Sequence, residues 1–84
     1  MNNDIKTNVG NRIRELRKIK GVSQETLAGL ADIDRTYMTS VENGKRNISI
    51  VNIEKIATAL DVSLMEFFCN EVFNKLKSEN KRKH

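Results

Sequence analysis

Four times in this chain an apolar residue is followed by Ser or Asp and, four positions beyond that polar residue, by another apolar residue. The instances are Val22-Ser23…Leu27, Ile33-Asp34…Met38, Ile48-Ser49…Ile53 and Val62-Ser63…Phe67. Each has the form of a helix N-cap bracketed by a hydrophobic staple: the short oxygen side chain accepts from an otherwise unpaired N–H of the first turn, and the two apolar residues fix the entry of the chain. In the last instance Glu66, three residues after Ser63, completes a capping box. A further helix precedes them, because Ile5, Val9, Ile13 and Leu16 fall on one narrow stripe. These signals predict helices near 5–20, 24–31, 35–43, 50–60 and 64–78, with Gly21 and Gly44 as C-terminal caps. No segment alternates with period two, so strands are not expected, and the fold class is all-α with five helices.

Eighty-four residues suffice for one domain with a small core. Hydrophobic content of 38% without Trp, and with aromatics at 5%, requires that core to be built mainly of Ile, Leu and Val. The domain is expected over 1–78, and the terminal SENKRKH, with 79–84 as a basic tail, is expected to be disordered. No apolar run approaches the roughly 20 residues that span a bilayer, and MNNDIKTNVG lacks the basic and apolar regions of a signal peptide. The single cysteine, Cys69, excludes an internal disulfide and reads as a small buried or half-buried hydrophobe. A cytoplasmic protein without membrane contact is the expectation.

The stretch 22–47 carries the function. It reads as two short helices joined by about three residues. At 100° per residue Met38 and Val41 share the inner side of the second, with Tyr37 at its edge. The opposite arc holds Arg35, Thr36, Thr39, Ser40 and Asn43. Small hydroxyls, an amide and one arginine suit base edges in a DNA groove better than bulk water, and a cation in a first helical turn opposes the helix dipole. In the preceding helix Leu27, Ala28 and Ala31 point inward, and Gln24 stands in the first turn, where its amide could reach a phosphate. After Gly44, the residues Lys45, Arg46 and Asn47 are placed to hold the DNA backbone. The net charge of +4 agrees with an anionic partner, and residues 1–47 carry nine bases against six acids. Arg12, Arg14, Lys18 and Lys20 read as a solvated face adding long-range attraction.

Through Arg17, Ser23-Gln24-Glu25, Leu27-Ala28, Ile33, Asp34-Arg35-Thr36-Tyr37, Val41-Glu42 and Gly44, the chain resembles the Cro/repressor-type helix-turn-helix family, also called the XRE family. The resemblance runs from about Val9 to Phe68, and the run DRTY…ENGKRN is most similar to controller proteins of restriction–modification systems. It implies a five-helix lambda-repressor-like DNA-binding domain whose helix-turn-helix comprises the second and third helices. It further implies that Arg35 and Thr36 enter the major groove of double-stranded DNA with Thr39 and Ser40 nearby. Gln24, Tyr37, Arg46 and Asn47 would then hold phosphates, joined by Asn43 and Lys45, although packing at the helix edge competes with phosphate contact for Tyr37. Arg17 and Glu42 resemble the family's structural ion pair. Asp32 departs from the pattern, standing where the family often has Gly in the interhelical turn.

The last predicted helix has more apolar surface than one small core needs. Leu64, Phe67 and Phe68 form one stripe, which would close the core with Ile50, Ile53, Ile56, Ala57 and Leu60. Cys69, Val72, Phe73 and Leu76 form a second, and with Met65 they make the candidate homodimer interface. A symmetric dimer would set its recognition helices about 34 Å apart on a pseudo-palindrome. The function read here is transcription regulation, by activation or repression, with RNA polymerase as a further candidate partner. A phage-type repressor and an antitoxin, whose apolar C-terminal helix binds a toxin, are the alternatives. No second His or Cys stands ready for a metal, and there is no P-loop, GxGxxG or nucleophile–base pair. No cofactor and no catalytic residue are assigned.

Overall fold

The computed structural model describes residues 4–74. Its helices are α1 (Ile5–Lys20), α2 (Gln24–Ala31), α3 (Arg35–Glu42), α4 (Ile50–Ala59) and α5 (Leu64–Phe67), followed by a 3₁₀ turn over Glu71–Asn74. The described residues contain no strand. All four staple signals coincide with helix starts. Ser23, Asp34, Ser49 and Ser63 each accept a backbone N–H of the first turn, from Thr26, Tyr37, Asn52 and Glu66 respectively. Glu66 returns a bond from the Ser63 N–H, at 2.9 Å. The apolar residue ahead of each cap (Val22, Ile33, Ile48, Val62) is half-buried against the core. Asp4, unforeseen, caps α1 by accepting from the Lys6 N–H.

α1 lies against α3, α2 contacts both α3 and α4, and α5 closes on α4. Their shared core contains Ile13, Leu27, Met38, Ile56 and Phe67, all fully buried. Gly10 sets the α1–α3 approach: a Cβ there would lie 2.5 Å from the Val41 carbonyl oxygen and 2.6 Å from that of Glu42. The turn into α3 runs through Asp32 in the left-handed region, at φ 57° and ψ 51°. Asp adopts this conformation more readily than most residues because its short polar side chain bonds locally. The departure from Gly therefore leaves the turn intact.

Three expectations are corrected. The fifth helix does not run to residue 78 but ends at Phe67. Asn70 ends it by accepting the Val72 N–H through its own side chain, while its backbone carbonyl accepts from Phe73. Such local side-chain bonds compete with helix continuation. The two apolar stripes consequently do not share one helix. Phe73 folds back to meet Phe68 edge-to-face with centroids 5.1 Å apart, and is half-buried. Ile50 does not help close the core, since it stands at the solvent-facing start of α4 and is 64% exposed. Cys69, in the bend after α5, is exposed rather than buried. Leu76 and the expected 79–84 tail lie outside the described residues.

Candidate nucleic-acid interface

α3 divides its side chains sharply. Met38, Val41 and Glu42 are buried, whereas Arg35, Thr36 and Asn43 are exposed and Thr39 and Ser40 half-exposed. The cap at Asp34 fixes where the helix begins, so Arg35 and Thr36 project from its first turn. The loop that follows exposes Lys45, Arg46 and Asn47. The structure therefore gathers the expected base readers and the loop bases around one helix.

Tyr37 stands between the core and the surface. The ring is half-buried against the core, yet its edge lines an open depression with Asp32, Asp34, Thr36, Arg46 and Asn52. The Arg46 guanidinium lies 4.9 Å from the ring centroid, within cation–π range. Asn52 Nδ2 donates to Tyr37 Oη at 3.2 Å, so this bond leaves the phenolic proton available for another acceptor. Asn52 was not singled out from sequence, and nothing in the local pattern at the start of α4 marks it.

Beneath the exposed face runs a polar network. Glu42 is 2% exposed. Arg17 grips it with two parallel bonds, Nε to Oε2 at 2.8 Å and Nη2 to Oε1 at 3.1 Å. Gln24 Nε2 donates to the same Oε1 at 2.9 Å. Gln24 Oε1 in turn accepts from the Thr39 hydroxyl at 3.0 Å. Every buried side-chain polar atom among the described residues has a partner. Gln24 thus joins the core to the exposed face of α3, and one of its two amide protons is already committed.

Two arginines read as a solvated face have structural work instead. Arg12 donates from Nε to the Phe67 carbonyl and from Nη2 to that of Glu66, both at 2.7 Å, satisfying the end of α5. Its register, three residues after Val9 and four before Leu16, places it beside the buried stripe and was the available signal. Arg14 donates to the Glu42 carbonyl at 3.1 Å and to Asn43 Oδ1 at 3.3 Å. Lys20 pairs with Asp61 at 2.9 Å on the surface, an arrangement of little energetic weight. Lys18 remains exposed.

Among the described residues no cluster of His, Cys, Asp or Glu could hold a metal. No helix there is long and apolar enough to cross a membrane.

A family model described as helix-turn-helix matches residues 13–67. The chain is similar to control protein C.MunI of a Mycoplasma species, with 54% identity over 67 residues covering 79% of this chain and 90% of that one. It is 46% identical to control protein C.BamHI of Bacillus amyloliquefaciens, across 74% of this chain and 78% of the relative. Among solved structures, the restriction–modification controller protein C.AhdI of Aeromonas hydrophila superposes with a TM-score of 0.73 at 55% identity, covering 76% of this chain and 97% of that one.

Proposed function

The chain belongs to the helix-turn-helix family, and on that premise we propose that it is a sequence-specific transcription regulator controlling restriction–modification genes. The observation that carries this reading is the likeness to control proteins over nearly the whole length of C.MunI and C.AhdI. The same likeness favours a controller over the phage-repressor and antitoxin alternatives.

Mechanistically, α3 enters the major groove of double-stranded DNA. Arg35 and Thr36 lead because they stand exposed on its first turn, with Thr39 and Ser40 alongside. Arg35 presents a planar fork that matches O6 and N7 of guanine. Lys45, Arg46 and Asn47, with Tyr37, Gln24 and Asn43, take phosphates on either side and set the register. Phosphate contacts carry most of the affinity and its salt dependence, and base contacts carry the choice of site.

A homodimer reads the two halves of a pseudo-palindrome. Met65 is 81% exposed and Cys69 is exposed, and with Val72 and Phe73 they give the surface for the second copy. The protein works in the cytoplasm, where its DNA is, and when it activates, RNA polymerase is its further partner.

Footprinting on the DNA upstream of its own gene tests the proposal. The expected result is protection of two half-sites centred about 10–11 base pairs apart. Absence of protection, together with equal affinity for random duplex, would overturn it. A neighbouring frame encoding a small toxin rather than an endonuclease or methyltransferase would favour the antitoxin reading.

A further inference from the structure

The buried network does more than tie helices together: its hydrogen bonds have a direction, and that direction ends on the recognition face. The Glu42 carboxylate, gripped on both oxygens by Arg17, can only accept. The Gln24 group 2.9 Å from it must therefore be the amide N–H₂, which turns the Gln24 carbonyl oxygen toward Thr39. A carbonyl oxygen can only accept, so the Thr39 hydroxyl, 3.0 Å away, must donate to it. The same hydroxyl also lies 3.1 Å from the Arg35 carbonyl oxygen, another pure acceptor. Its single proton is consumed on the protein side by both geometries.

Thr39 is half-exposed on the arc that also carries Arg35 and Thr36. Toward a ligand it offers only oxygen lone pairs and a methyl group. Turning the proton outward would strand the half-buried Gln24 carbonyl oxygen without a donor.

We infer that Gln24 is a positioning residue that fixes Thr39 as a hydrogen-bond acceptor, so that at the base Thr39 meets, the protein selects an amino base over a keto base. In the major groove adenine N6 and cytosine N4 are donors, whereas guanine O6 and N7 and thymine O4 are acceptors. The inference rests on the proposed reading of DNA by α3 and deepens it: one position of each half-site should favour adenine or cytosine on the strand facing Thr39. Gln24 has this role through its carbonyl oxygen whether or not its second amide proton meets a phosphate.

The test uses the full-length protein and duplexes carrying its footprinted operator with each half-site position changed singly. Wild type, Thr39→Val, Thr39→Ser and Gln24→Met are titrated on all of them, with folding checked by circular dichroism. Thr39→Val locates the position at which discrimination is lost. There the wild type should prefer amino over keto bases by roughly two- to tenfold, the worth of one hydrogen bond. Thr39→Ser, which keeps the hydroxyl and the Gln24 bond, should keep that preference. Gln24→Met, which removes one of the two protein acceptors and leaves the proton only the Arg35 carbonyl, should bring the amino-to-keto ratio toward one.

A keto preference in the wild type would overturn the inference. So would a Gln24→Met variant that retains the wild-type ratio, or a Thr39→Val variant unchanged at every position. If Gln24→Met proves unfolded, the wild-type preference and its loss in Thr39→Val still decide whether Thr39 is an acceptor, and Gln24→Leu, titrated in the same way, decides the part of Gln24. Wild type that binds every duplex equally would instead overturn the reading of α3 as a DNA reader.

Discussion

At the scale of single residues, position along α3 decides which side chains stand exposed and which hold the helix. Arg35, exposed on the first turn, is expected to matter for choice of sequence. Arg35→Ala should weaken operator binding by about 1–3 kcal/mol and relax one base position. Titration against operator and random duplex checks this, and equal losses on both would count against base reading. Glu42 illustrates the opposite fate, since its side chain has no exposed surface and Arg17 only 15%. Removing one member of a buried pair leaves the other without compensation, so Glu42→Ala should cost about 3–5 kcal/mol in urea unfolding. The ion pair was legible only through the family pattern. Its extension to Gln24 and Thr39 was not legible, because the partners are 15 and 18 positions apart and meet only when α2 packs on α3.

At the scale of helices, starts were readable and one end was not. A cap and a staple lie within six consecutive residues, so Ser23, Asp34, Ser49 and Ser63 announce their helices without help. The stop after Phe67 depends on Arg12, 54 and 55 residues distant, taking the last carbonyls, and on Asn70 bonding its own neighbourhood. Periodicity alone continued the helix past that point. Gly10 gives a test of helix approach. Ala would favour α1 locally by about 1 kcal/mol, but its Cβ would press two backbone oxygens of α3 at 2.5 and 2.6 Å, which cannot rotate away. Overpacking of this kind costs about 1–3 kcal/mol. Gly10→Ala should therefore lower the melting temperature, and a rise would mean that α1 and α3 separate easily.

At the scale of the whole molecule, one copy presents one α3, and a pseudo-palindromic operator needs two. The proposed dimer surface around Met65 can be probed without touching the core, because that side chain is 81% exposed. Met65→Glu should shift a dimer toward monomer in sedimentation velocity and weaken binding to the full operator more than to a half-site. An unchanged dimer would remove Met65 from the interface. The second apolar stripe, read as one face of a long helix, is divided by the bend at Asn70, and Phe73 instead packs on Phe68. The surface available to a partner is smaller than the sequence suggested.

The sequence by itself determined the helical class, four of the helix starts, the buried stripe of α1 and the division of α3 into an apolar side and a polar arc. These follow from neighbours within about one or two turns, where covalent spacing fixes geometry. Only the tertiary structure decided where α5 stops, that Arg12 and Arg14 bind carbonyls, and that Gln24 hands the acceptor character of Glu42 through to Thr39. Each of those depends on side chains from different helices meeting at hydrogen-bond distance, and only packing of the helices against one another brings them there.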